Sequence, residues 1–221
     1  NSSLVNSDFE FISEQAELKG WEINGSDTEN CPLPLNYAQL FDGKNVWDGH
    51  YSLKLSKPGD KGYCELTSNS GNAQGPDKKY YIPINPNRRY TLSYAAKSSN
   101  GTQLSIAGMK FYDNQYDECS FVIPANEFNQ MPGAKKSKYR EIGTYDNLTM
   151  YYNRFCVDKT GNTNLTQAPS WIWGYSTKAE KIKSEWREYA ITFDPESLSL
   201  STEMPANVSF ARLVFYAPHS G

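Results

Sequence analysis

Apolar and polar positions alternate along much of this chain in short runs, a period of two that marks strands with one buried face. In Arg89–Ser98, Tyr90 and Leu92 share one face while Thr91 and Ser93 take the other. Comparable runs predict strands at Asp8–Ser13, Gly20–Asn24, Tyr51–Ser56, Gly62–Ser68, Lys79–Ile84, Gln103–Tyr112, Ser120–Pro124, Glu185–Phe193 and Ser209–Ala217. The breaks between them carry turn chemistry: Pro58-Gly59-Asp60, Pro86-Asn87, and the hairpin signal Asn100-Gly101. Consecutive antiparallel strands at short spacing predict an all-β jelly-roll β-sandwich of two antiparallel sheets.

The stretch from about 126 to 183 departs from that spacing. It is rich in Asn, Lys, Tyr and Gly, and it reads as a long irregular insertion with short strands at Met150–Val157 and Ser170–Ser176. No repeat or low-complexity linker divides the chain, so residues 1–221 are expected to form a single β-sandwich domain.

Composition agrees with this class. Hydrophobic content is 38% and aromatic content 14%, with 16 tyrosines, which suits a thin two-sheet core with Tyr-rich faces. A net charge of -3 lacks the basic footprint of a nucleic-acid binder. No apolar run approaches ~18 residues, so no membrane insertion is expected. The chain opens directly on a strand pattern, as a processed secreted chain would.

Cys31, Cys64, Cys119 and Cys156 have no zinc or redox spacing. Asn1, Asn24, Asn100, Asn147, Asn164 and Asn207 each begin an Asn-x-Ser/Thr sequon. Together they point to an extracellular or cell-surface glycoprotein with two disulfides. Of the three connectivities open to four cysteines, Cys31–Cys64 with Cys119–Cys156 is preferred because each pair ties down a loop-rich stretch.

The candidate chemistry is sugar recognition. Trp171, Trp173 and Tyr175 stand at i, i+2 and i+4, so an extended segment projects all three from one side. Aromatic planes suit the C–H faces of pyranose rings, with polar neighbours for the hydroxyls. Tyr151, Tyr152 and Arg154 lie in the same insertion, and Trp47 borders the Asp48-Gly49-His50 loop. The competing reading packs Trp171 and Trp173 between insertion and sandwich. Catalysis is not expected. His50 and His219 have no triad or metal-ligand spacing, and Asp113, Asp117 and Glu118 read as a solvated acidic edge.

Several segments in order carry a family resemblance. Asp8-Phe9-Glu10 precedes Gly20-Trp21, then Asp48-Gly49-His50-Tyr51-Ser52-Leu53, then Arg89-Tyr90-Thr91-Leu92-Ser93-Tyr94. Trp186-Arg187-Glu188-Tyr189 and Phe210-Ala211-Arg212-Leu213-Val214-Phe215-Tyr216 follow. The chain thus resembles carbohydrate-binding modules of the family 4/9/16/22 type, galactose-binding-like β-sandwiches. That resemblance implies a secreted, non-catalytic module docking polysaccharide or glycan, with Trp21 and Trp186, at matched family positions, in the core. It also implies a structural calcium, held by Glu10 and the Asp48 loop with Asp8 nearby.

The family closes with a further Ile-Asp-Asp-Val-Ser-Leu-like strand, where this sequence has Pro218-His219-Ser220-Gly221. Three explanations stay open: a shortened chain, a substitute strand from the insertion, or one donated by a neighbouring copy. The last would make the protein a structural subunit of an extracellular fibre or surface assembly.

Overall fold

A strand with one apolar face needs a second layer to cover it, and the alternating runs supply two antiparallel sheets for the purpose. The computed structural model describes residues 20–25, 44, 46–50, 52–53, 64–70, 81–98, 104–145, 148–156, 175–196 and 202–217. In chain order its strands are β1 (Gly20–Gly25), β2 (Cys64–Ser70), β3 (Ile82–Pro83), β4 (Tyr90–Ala96), β5 (Leu104–Tyr112) and β6 (Ser120–Pro124). There follow β7 (Tyr139–Tyr145), β8 (Leu148–Asn153), β9 (Tyr175–Lys181), β10 (Arg187–Phe193) and β11 (Phe210–Ala217).

The larger sheet runs β1-β2-β11-β5-β9, with β3 added against β11. Opposite it lies the β4–β10 pair, in register from Tyr90↔Phe193 to Ala96↔Arg187. Side chains interdigitate between the layers. Phe111 of β5 meets Phe193 of β10 edge-on at 6.4 Å, and Phe215 of β11 takes Tyr94 of β4 at 5.2 Å. Trp21, Leu66, Leu92, Met109, Ile191 and Leu213 fill the rest of this core. The all-β sandwich expected from alternation is what the chain forms. Asp8–Ser13 and Asn100-Gly101 lie outside the described residues, as do all but residues 52 and 53 of the Tyr51–Ser56 run.

The segment 126–183 holds more regular structure than its composition predicts. Two helical turns, α1 (Ala125–Gln130) and α2 (Gly133–Lys136), each start after a proline, Pro124 and Pro132. Proline is tolerated there because the first backbone N–H groups of a helix lack intrahelical acceptors. β6, β8 and β7 form a separate three-stranded antiparallel sheet, and β9 rejoins the larger sheet beside β5. A disulfide joins Cys119 to Cys156, with Cα atoms 5.5 Å apart. It ties the entry to β6 to the end of the β8 segment, as expected for this pair. Cys31 lies outside the described residues, and of Cys64 only the backbone, in β2, is described.

Candidate functional site

Lys97 follows β4 directly and Trp186 precedes β10, so the pair continues the Ala96↔Arg187 register by one step. Cross-strand neighbours on one face approach closely, and the Lys97 ammonium lies 5.8 Å from the centroid of the Trp186 ring. Trp47 reaches the same ring from the loop before His50, with centroids 6.2 Å apart and planes inclined at 50°. Trp47 is 52% exposed, the most exposed large hydrophobic side chain among the described residues. Its loop is closed locally, where the Gly49 N–H donates to Asp48 Oδ1 at 2.9 Å and Gly49 takes a φ of 78°. Glu185, next to Trp186, is engaged by Arg187, whose Nη2 lies 2.5 Å from Glu185 Oε1. The result is an open, V-shaped aromatic surface with a cation on one ring. Trp186, expected in the core, is only partly buried, whereas Trp21 is core at 4% exposure.

The other expected sugar-binding residues part company. Tyr151 and Tyr152 are each 2% exposed and present no sugar-facing surface, which corrects that expectation. The reason is α1: Phe128 stacks on Tyr151 at 3.8 Å, and Phe121 flanks its ring at 5.4 Å. Tyr152 belongs to the core between the sheets. Arg154 is exposed beside Phe155, far along the chain from Trp47. The Tyr175 backbone pairs with Lys110 at the start of β9, and Trp171 and Trp173 lie outside the described residues. So do Glu10 and Asp8. Asp48 is exposed, and its Oδ1 accepts the Gly49 N–H within its own loop.

Among the sequons, Asn1, Asn100, Asn147 and Asn164 are outside the described residues, and Asn24 is in β1. Asn207 is exposed and donates from Nδ2 to the Phe155 carbonyl at 2.8 Å.

The acidic run 113–118 is no solvated edge, which corrects a second expectation. Asp113 is 1% exposed, and its carboxylate accepts from Lys138 Nζ at 2.9 Å, Asn153 Nδ2 at 2.8 Å and the Gln115 and Asp117 N–H groups. Those bonds close a tight turn in which Tyr116 adopts a φ of 64°, its ring stacked on Phe210 at 4.3 Å. Burial alone would raise the Asp113 pKa, but the hydrogen bonds from Lys138, Asn153 and the backbone outweigh it and hold it below the ordinary value. A depressed carboxylate adds stability that is complete above the unfolded value of about 4 and is lost as pH falls through the folded one. Asp113→Asn should therefore lower the urea midpoint at neutral pH and flatten its decline in acid. Urea titrations from pH 7 to pH 3 check this, and an unchanged acid slope would refute it.

Sequence reading missed a layer of charge on the face of the larger sheet turned away from the core. Glu65 on β2 and Arg212 on β11 are 4% and 3% exposed, and Lys110 on β5 lies opposite Arg212 in register. Lys110 Nζ sits 2.5 Å from Glu65 Oε1, and Arg212 Nη2 sits 2.8 Å from Glu22 Oε1. The Arg212 guanidinium also lies over the Tyr81 ring at 5.5 Å. Glu118, bridged through its backbone to Tyr112, joins the same group, and burial pushes its pKa up against the pull of Lys110 and Arg212. The Lys110 ammonium and the Arg212 guanidinium are each matched by a carboxylate, so the layer reads as a compensated ion-pair network.

The fold and site together define a class: an antiparallel β-sandwich with an exposed tryptophan set against a partly buried one at the end of its smaller sheet. No protein-family model and no curated protein matches the chain. Among solved structures, the enzymatically active domain of bacteriophage CBA120 tailspike protein 4 is similar over 98% of this chain and 19% of that one, at 14% identity and TM-score 0.46. That domain is described as enzymatically active, which runs against the expectation that this chain is no enzyme, and "non-catalytic" is dropped from its description. At that distance the likeness carries no substrate, activity or residue across.

Proposed function

We propose that the chain is a glycan-binding β-sandwich that docks sugar on exposed aromatics, with Trp47 and Trp186 as the platform. The observation that carries this reading is Trp47 itself, a large apolar ring left 52% exposed against a second indole. Keeping indole surface in water costs hydrophobic free energy, and a sugar ring that covers it with C–H groups recovers that cost. The inclined planes suit a ring seated between them better than a flat crystalline surface. The Cys119–Cys156 disulfide supports an oxidising, secreted setting, where glycans are the common polymer.

Trp47→Ala is expected to weaken polysaccharide binding about thirtyfold, roughly 2 kcal/mol, in keeping with aromatic anchors at interfaces. The melting temperature should stay within a few degrees, because the side chain packs no core. Affinity electrophoresis against a panel of soluble polysaccharides, with a thermal melt of each variant, checks both. Binding that survives the substitution unchanged would remove Trp47 from the site.

A further inference from the structure

We infer that Glu188 selects the sugar bound beside the Trp47–Trp186 platform, its carboxylate accepting from two adjacent free hydroxyls of the glycan. This rests on the proposed glycan-binding reading. The phase of β10 leads there. Ile191 and Phe193 turn into the core and Tyr189 stacks on Tyr94, so the odd positions face inward. Glu188 therefore shares the outer face with Trp186, two residues and about 6.8 Å before it along the strand. It is exposed, and Ala190 and Thr192 continue the same exposed row.

Its neighbours on that face leave the carboxylate open. Ala95 stands directly opposite in register and Ala190 comes next along the strand, and neither side chain can donate. The Lys97 ammonium, at the diagonal, stands over the Trp186 ring. Among the described residues no hydrogen bond or ion pair engages Glu188. Farther along, the Thr91 and Thr192 hydroxyls face each other at 3.3 Å, and Arg89 holds Asp194. Glu188 is thus the first open acceptor met by a sugar chain leaving the indoles along the sheet, and the alanines let that chain lie close. Stacking on indole grips a sugar without reading its hydroxyls. A carboxylate reads them, because it accepts at about four lone-pair sites and donates nothing, so it takes hydroxyls and rejects ethers. Bonds to an ionised acceptor are also about twice as strong as neutral ones. The ligand class is a glycan whose unit next to the stacked one carries two adjacent unsubstituted hydroxyls.

The test uses the full chain with cellohexaose, mannohexaose, xylohexaose and galactohexaose, each beside its O-methylated counterpart, measured by titration calorimetry. At least one free oligosaccharide is expected to bind more tightly than its methylated form. Glu188→Ala should weaken that oligosaccharide about tenfold and leave the methylated form unchanged. Glu188→Gln, which keeps the shape and loses the charge, should fall between. Trp47→Ala should weaken both forms. If Glu188→Ala leaves binding of the free oligosaccharide intact, or weakens both forms equally, the assignment of Glu188 is wrong while glycan binding stands. If Trp47→Ala changes nothing, or no oligosaccharide binds, both fall together. Thermal melts separate a lost contact from a lost fold, and an exposed strand position such as 188 should leave them unmoved.

Discussion

Replacing Lys110 by methionine is expected to lower the free energy of unfolding by about 3–5 kcal/mol, the cost of orphaning a buried charge. Glu65 is 4% exposed, and its Oε1 takes the Lys110 ammonium at 2.5 Å and the Thr67 hydroxyl at 2.9 Å. Methionine fills the volume of the lysine stem, so the loss isolates the charge. Burial alone would make Lys110 easier to deprotonate, yet the attraction of Glu65 and Glu118 outweighs it and raises its pKa, so the ammonium persists at neutral pH. A Lys110→Met/Glu65→Gln double variant should regain most of the stability, because a neutral pair needs no compensating charge. Urea denaturation of the wild type, both single variants and the double variant measures the coupling. A single-variant loss under about 1 kcal/mol would mean that water, not Lys110, solvates Glu65.

Removing the disulfide by Cys119→Ala/Cys156→Ala should cost about 4 kcal/mol, from the loop-closure entropy of its span of 37 residues. Both cysteines are at most 1% exposed and sit in the core cluster beside Tyr152, so alanine is preferable to serine, which would bury a hydroxyl. For a chain of this size the loss corresponds to a fall in melting temperature of about 8–16 °C. Calorimetry of the double variant checks the figure. A shift of only a degree or two would show that the 119–156 region stays compact in the unfolded chain, leaving the cross-link little entropy to remove.

Strands were legible where the period of two coincided with burial of one face. Tyr90–Ala96 and Arg187–Phe193 alternate this way and pair as the smaller sheet. The same logic failed on the larger sheet. Glu65, Lys110 and Arg212 occupy the polar phase of their strands and so read as solvent-facing, yet that face is covered as well. A covered polar face and a wet one have the same alternation, and only the partners from distant segments distinguish them. The strand Tyr139–Tyr145 was missed because Gly143 interrupts its pattern, and register shifts against β8 between Glu141 and Gly143. Tyr151 was misplaced because Phe128, which covers it, looked like part of an irregular loop. For the candidate site, Trp47 was found from its loop, while Trp186 and Lys97 came together only through the β4–β10 register.

The position of β11 has a consequence for how the chain reaches its folded state. β1–β2 and β5–β9 each form a two-stranded ribbon, but nothing in the sheet path joins the ribbons except β11, which lies between β2 and β5. That strand emerges from the ribosome after every other described strand. Until then β2 and β5 each carry an open edge, and the apolar faces of Leu66 and Phe111 lack the neighbour that completes their layer. Assembly must wait for contacts spanning about a hundred residues or more, a topology that folds slowly. A chain that ends before Phe210 therefore presents the two open edges of β2 and β5, and a peptide carrying the β11 sequence should be a ready capture reagent for it.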